Sequence, residues 1–250
     1  MEIVVTNDDG PNTPLLRPLV EALLEAGHVV YVVVPERPRS AAGLARTYHK
    51  PLRVRRLGDF YVVNGFPSDA VFVALKLIAA GAELVLSGVN VGENIGVEAT
   101  YGSGTVGAAI QAGLLGVPAV ALSMEEGGDV GLMRRVALAA VEAAAGGLGG
   151  VLAVSVNIPK SWGGAVYCPS VLARGVYRER IYEGVDPRGE KYYWRWGPRA
   201  DSFDPESDAY YFYIGRGITA LGISERGVER ACDFGRRLGA LVGAKLIRCC

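Results

Sequence analysis

Two adjacent carboxylates, Asp8 and Asp9, follow the β-branched run Ile3-Val4-Val5-Thr6 in the turn Asn7-Asp8-Asp9-Gly10. Side by side on a tight turn, they repel unless a positive charge sits between them. A divalent cation supplies that charge. The donors on offer are carboxylate, hydroxyl and amide oxygens, which suit Mg²⁺, Mn²⁺ or Ca²⁺ and not a thiolate metal. A plain turn with helix-capping carboxylates is the competing reading of the tetrapeptide. Two more segments tip the balance to the metal. Glu36, Arg37, Arg39 and Ser40 follow a second apolar run, and Gly88, Asn90, Gly92 and Asn94 follow a third. In open α/β sheets, ligands bind beyond the carboxyl ends of the strands. Small oxygen-bearing side chains thus converge on one edge.

Gly102-Ser103-Gly104-Thr105-Val106-Gly107 opens a helix-like stretch. Backbone N–H groups at such a start, with two hydroxyls, form an anion cradle. A metal facing a phosphate cradle is equipped for phosphoryl chemistry. The same hexapeptide matches GxGxxG, but the dinucleotide fingerprint follows directly on a strand, and Val97–Tyr101 is a poor strand. No GxxxxGK[ST] occurs, so a P-loop is excluded. His28 leads a strand and reads as structural; His49 reads as a solvated loop residue. Ser40 has no positioned histidine and no GxSxG exists, which argues against a serine hydrolase.

Alternating elements must carry these residues. Leu15, Leu16, Leu19, Val20, Leu23 and Leu24 recur at helical spacing, and Gly27 closes that helix. Val29–Val34, Leu84–Ser87, Val117–Leu122 and Val151–Val156 read as strands. Val71–Ala80 with Asp69 as N-cap, Ser103–Leu115 and Val130–Ala145 read as helices. Strands apolar on both faces and separated by helices imply an α/β fold: a Rossmann-like parallel sheet with helices on both faces. This core is expected to span residues 1–159. Residues 160–250 are expected to form an aromatic-rich arm and a closing helix over Val228–Leu246. All three tryptophans fall in this part (Trp162, Trp194, Trp196), as do Tyr167, Tyr177, Tyr182, Tyr192, Tyr193, Tyr210, Tyr211 and Tyr213. That aromatic content suits burial against a partner subunit; capping of the sheet edge is the equal alternative.

The chain has 250 residues, half of them apolar, which excludes a disordered polymer. Lys+Arg 26 against Asp+Glu 26 leaves no net charge, so a dedicated nucleic-acid binder is not expected. No run reaches the ~20 uncharged residues of a membrane span. No secretory pattern opens the chain, and a cytoplasmic protein is expected. Cys168, Cys232, Cys249 and Cys250 lack zinc-site spacing and read as buried or incidental thiols. A single glutamine is a weak thermophile sign, under which intracellular disulfides stay open, in any of three complete pairings.

At these residues the sequence resembles the SurE family of phosphatases and nucleotidases. Asn7–Gly10, Pro35–Ser40, Gly65–Val71, Ser87–Asn94, Ser103–Ala109, Val154–Pro159, Asp186–Gly189 and Tyr192–Trp194 are each similar to a family motif. The chain departs at Ala41-Ala42-Gly43-Leu44, where the family usually carries glycine and a second hydroxyl. The resemblance implies one divalent metal ion per subunit (Mg, Mn or Co) held by Asp8, Asp9, Ser40 and Asn90. Asn94, Ser103, Gly104 and Thr105 would line the phosphate. It implies hydrolysis of nucleoside monophosphates or other small phosphomonoesters, with polyphosphate cleaved by some members. It also implies homodimers or homotetramers built through C-terminal arms. Asp8 and Asp9 are then the catalytic pair, and their adjacency, unlike a DxD spacing, favours direct attack by water. The alternatives are a non-catalytic nucleotide-binding sensor and an NAD-linked oxidoreductase.

Overall fold

Ile3, Val4 and Val5 are all fully buried, yet Ile3 and Val5 face one core and Val4 another. A period of two sends successive side chains to opposite faces, so β1 (Glu2–Thr6) must be covered on both sides. A computed structural model describes all 250 residues. After β1 come α1 (Leu16–Glu25), β2 (Val29–Pro35), β3 (Val54–Leu57) and β4 (Phe60–Val63). Next are α2 (Pro67–Val73), which runs into a π-helical turn over Ala74–Ile78, then β5 (Leu84–Val91), α3 (Val97–Gly102) and α4 (Gly104–Leu114). They are followed by β6 (Ala119–Met124), α5 (Val130–Ala145), β7 (Ala153–Ile158) and β8 (Ala165–Tyr167). The chain finishes with β9 (Arg180–Val185), β10 (Lys191–Trp196), a π turn at Tyr210–Ile214, β11 (Ile218–Ser224), β12 (Gly227–Arg230), α6 (Cys232–Leu241) and β13 (Leu246–Arg248).

The main sheet has the order β13-β8-β11-β7-β6-β5-β1-β2-β4-β3, with β12 added on β11. The run from β7 to β4 is parallel throughout. At the far end β11 reverses against β7, and at the other edge β3 reverses against β4. Leu16, Leu19 and Leu23 of α1 pack with Val136 and Ala140 of α5 on one face. Ala70 and Val71 of α2 pack with Val106 and Ala109 of α4 on the other. The expected α/β architecture is therefore present, and its sheet continues through β8, β11 and β13 beyond residue 160.

Several expected elements differ. Asp69 is not an N-cap: α2 begins at Pro67, and Asp69 sits in its first turn, accepting the Phe66 N–H at 2.8 Å. The helix expected over Val71–Ala80 thus starts earlier and ends as a π turn. The closing helix expected over Val228–Leu246 is cut to Cys232–Leu241. Val228–Arg230 instead pairs with β11, and Gly243, at φ 70°, turns the chain into β13. The β3–β4 hairpin was not anticipated, because Arg55 and Arg56 break the apolar pattern on an edge strand. The cysteines are not incidental thiols. Cys168 bonds Cys249 and Cys232 bonds Cys250, with Cα separations of 4.7 and 5.8 Å. No helix is long and apolar enough to cross a membrane.

Candidate active site

The carboxyl ends of β1, β2, β5 and β6 lie along one rim. At the end of β1 the Asn7 side chain closes the turn on itself. Its Oδ1 accepts the Gly10 N–H at 2.8 Å and its Nδ2 donates to the Gly10 carbonyl at 2.9 Å. Gly10 has φ 82°, and a Cβ there would sit 3.2 Å from the Pro35 carbonyl oxygen, so the turn nests against the end of β2. The Arg39 N–H then donates to the Asp8 carbonyl at 2.7 Å. That bond brings the loop carrying Ser40 to the tandem aspartates. Ser40 itself is exposed, directly after this anchor.

Asp8 is buried, and its Oδ1 accepts the Thr105 hydroxyl at 2.6 Å. A Cβ on Gly104 would lie 2.7 Å from the Asp8 Cβ and 3.0 Å from its Oδ2, so only glycine lets the start of α4 come this close. Burial, and then the neighbouring Asp9 charge, push the Asp8 carboxyl above its usual pKa, while the Thr105 hydroxyl pulls it back. Burial likewise raises Asp9, against a lowering pull from the Val91 backbone. Asp9 Oδ2 is buried with no hydrogen-bond partner. A carboxylate oxygen left so costs free energy unless something positive meets it.

Asn90 stands where β5 is irregular: Ser87 pairs Ala121 but Asn90 pairs Ser123, one extra residue on β5. Gly88 makes this possible, since a Cβ there would fall 2.2 Å from the Leu122 carbonyl oxygen. The Asn90 Nδ2 donates to the Gly92 carbonyl at 2.6 Å, which leaves Oδ1 as a free acceptor. The donor set is then two carboxylates, one with an orphaned oxygen, one amide oxygen and one hydroxyl. It fits a hard divalent cation and excludes a thiolate or imidazole metal.

Facing this set is α4. The Ser103 Oγ caps it by accepting the Val106 N–H at 3.1 Å. First-turn amides have no acceptor within their own helix and carry partial positive charge. The stretch before Ser103 is helix α3, not a strand, so the GxGxxG match lacks the setting a dinucleotide needs. Asn94 is buried. Its backbone N–H donates to Asn157 Oδ1 at 2.8 Å, and its Nδ2 donates to the Ser123 hydroxyl at 2.7 Å. His49 is exposed.

Residues not singled out from the sequence brace the rim. Ser123 and Asn157 fix Asn94; each directly follows a strand expected from the sequence, Val117–Leu122 or Val151–Val156, so inspecting those strand ends as well finds both. Asp208 is buried and accepts the N–H groups of Gly96 and Ala173 at 2.7 and 2.8 Å, which pins the loop after Asn94. The Tyr213 hydroxyl donates to Glu93 Oε1 at 2.6 Å, and burial beside that carboxylate pushes the tyrosine well above its ordinary pKa.

The model of the family described as survival protein SurE matches residues 3–175. The chain is 71% identical over 249 residues to the 5′-nucleotidase SurE 2 of Pyrobaculum aerophilum, covering all of both chains. It is 38% identical over 240 residues to the 5′-nucleotidase SurE of Hyperthermus butylicus, covering 89% of this chain and 84% of that one. A crystal structure of the SurE protein from Aquifex aeolicus superimposes with a TM-score of 0.75 at 27% identity, covering 92% of this chain and 94% of that one.

Proposed function

The chain belongs to the SurE family, and from that membership we propose that it is a metal-dependent phosphomonoesterase acting on nucleoside monophosphates. The observation that carries the reading is the orphaned Asp9 Oδ2, buried beside Asp8 and opposite the start of α4.

Asp8, Asp9, Ser40 and Asn90 are the residues assigned to hold the cation, which we take to be Mg²⁺, Mn²⁺ or Co²⁺. When bound, such an ion supplies Lewis acidity and a more acidic water. The protein does the rest. The Thr105 hydroxyl fixes the Asp8 carboxylate, and its backbone N–H acts on the same carboxylate. The Gly104 N–H, with the Ser103 hydroxyl proton and the positive end of α4 where Thr105 stands, meets the phosphate oxygens, which gather charge as the ester bond breaks. Asn94, held by Ser123 and Asn157, lines the same oxygens. Water attacks phosphorus, the P–O bond to the nucleoside breaks, and inorganic phosphate and a nucleoside hydroxyl result. Asp9 orients the water. We further propose that the exposed β9–β10 hairpin joins copies of the chain into a homodimer or homotetramer.

Phosphate release from adenosine 5′-monophosphate tests the reading. The chelated protein is expected to be inactive, and Mg²⁺, Mn²⁺ or Co²⁺ added singly is expected to restore turnover. Asp9→Ala should lower kcat/KM by at least about 10²-fold. Full activity of that variant in the presence of EDTA overturns the mechanism. Nucleotide binding without turnover under every metal would favour the sensor.

A further inference from the structure

Several strands across the sheet from the catalytic residues, three arginines from three separate elements line one cavity of about 670 Å³. They are Arg230 at the end of β12, Arg236 in α6 and Arg248 at the end of β13. Five strand spacings separate β13 from β5, or about 24 Å at ~4.8 Å each. Arg248 stands in the same row as Asn90, through Tyr167, Thr219, Asn157 and Ser123, so the cavity lies on the same edge of the sheet and is separated from the catalytic residues by distance along it.

The pairing of these cations is incomplete. Arg236 meets Asp233 and, at 3.4 Å, the Cys249 carbonyl. Arg230 reaches only the Ser170 hydroxyl, at 3.5 Å. Neither Arg230 nor Arg248 is paired with a carboxylate. Glu206 and the terminal carboxylate of Cys250 are the acids of the lining, and neither is bonded to a guanidinium. Arg230 and Arg248 thus keep guanidinium N–H groups free for an anion that bridges them. Guanidinium forks match phosphate oxygens in pairs.

Covalent links hold the three in place. Cys168–Cys249 ties the end of β8 to the residue after Arg248, and Cys232–Cys250 ties the start of α6 to the end of the chain. The backbones that carry Arg236 and Arg248 are thereby cross-linked before any ligand arrives, which lowers the ordering cost of binding. We propose that this cavity is a second anion site, separate from the hydrolytic one, for an oligophosphate. Three guanidiniums on separate elements suit a chain of phosphates better than a single one. The ligand is either an inorganic phosphate chain or the tail of a nucleoside triphosphate.

Titration calorimetry of the whole chain in EDTA, with inorganic tripolyphosphate as the probe, tests the site. The double variant R230A/R248A is expected to bind at least about tenfold more weakly, since two charge-assisted partners are lost. Its turnover of adenosine 5′-monophosphate with metal restored should stay within about twofold, a difference well under 1.4 kcal/mol. Unchanged tripolyphosphate affinity in the double variant overturns the proposal. A measurement on the unaltered chain guards against misfolding of the variant: tripolyphosphate should protect Arg230 and Arg248 from phenylglyoxal, read by peptide mass spectrometry, and absence of protection also overturns it. Adenosine triphosphate serves as the second arm. Tighter binding than tripolyphosphate assigns the nucleotide as the source, and equal binding assigns the phosphate chain.

Discussion

Gly104 and Thr105 show how closely single atoms set the geometry of the candidate site. A methyl group at residue 104 would press on the Asp8 Cβ at 2.7 Å, and the start of α4 is held in place by the Ser103 cap, so the aspartate is what must move. Gly104→Ala is therefore expected to cut kcat/KM by about 10²-fold, as a misplacement near 1 Å does, while circular dichroism stays native. Unchanged kinetics would mean that Asp8 has no fixed place in the reaction. Thr105→Val removes the hydroxyl that donates to Asp8 Oδ1. A bond to a charged group is worth ~1.5–3 kcal/mol, so a loss of about 10- to 100-fold is expected. Thr105→Ser keeps the donor and should keep most of the rate; equal losses in both would point to packing rather than to the bond. Asp8, Asp9 and Asn90 stand out in the sequence as candidates because oxygen donors after β-branched runs are a strand-end pattern. The Thr105–Asp8 bond was not legible: it joins residues 97 positions apart, and no local spacing encodes it.

Elements were legible where one face is buried at a regular period, and illegible where pairing partners decide. Val130–Ala145 has that period and is helical over the expected residues. Val228–Arg230 and Leu246–Arg248 lie beside a helix, share its apolar spacing, and become strands only because β11 and β8 offer free edges. Asp208 illustrates the same limit. It lies in an aromatic stretch with no motif, yet it ties Gly96 and Ala173 to the turn at Ala209 by accepting all three N–H groups. Burial raises its pKa above 3.8, so the folded chain keeps this proton to a higher pH than the unfolded chain does. Across that window the folded state binds more protons, and stability falls as pH rises through it. Asp208→Asn cannot titrate and leaves an N–H unmet, a deficit of ~1–3 kcal/mol. In urea unfolding the gap between wild type and this variant should be widest below 3.8 and narrow as pH rises. A gap that stays constant with pH would show that Asp208 is not perturbed.

Over the whole molecule, the distribution of apolar surface is the feature that a single chain leaves unresolved. The β9–β10 hairpin forms its own two-stranded sheet, outside the main one, and exposes Ile181 (66%), Trp194 (66%) and Trp196 (62%). Its aromatic character was legible as a cluster of Trp and Tyr after residue 160, whereas the disulfide pairing was not, because spacing says nothing of which Cα atoms come within 4.7 Å. An isolated two-stranded hairpin is marginal in water. Its ties to the rest of the chain include Arg195, which pairs with Glu98 of α3 and with Glu179. Those pairs are exposed, and such pairs contribute little, ~0–1 kcal/mol. Solvated tryptophans on a marginal hairpin are poorly covered, and in the proposed assembly a second copy of the chain would cover them with matching aromatic surface. Ile181→Ser/Trp194→Ser/Trp196→Ser is therefore expected to lower the mass measured by light scattering from that of an assembly to that of one 26.4 kDa chain. The core is untouched by these changes, so the thermal transition of each chain should remain cooperative. An assembly of undiminished mass in the triple variant would place the subunit contact elsewhere on the molecule.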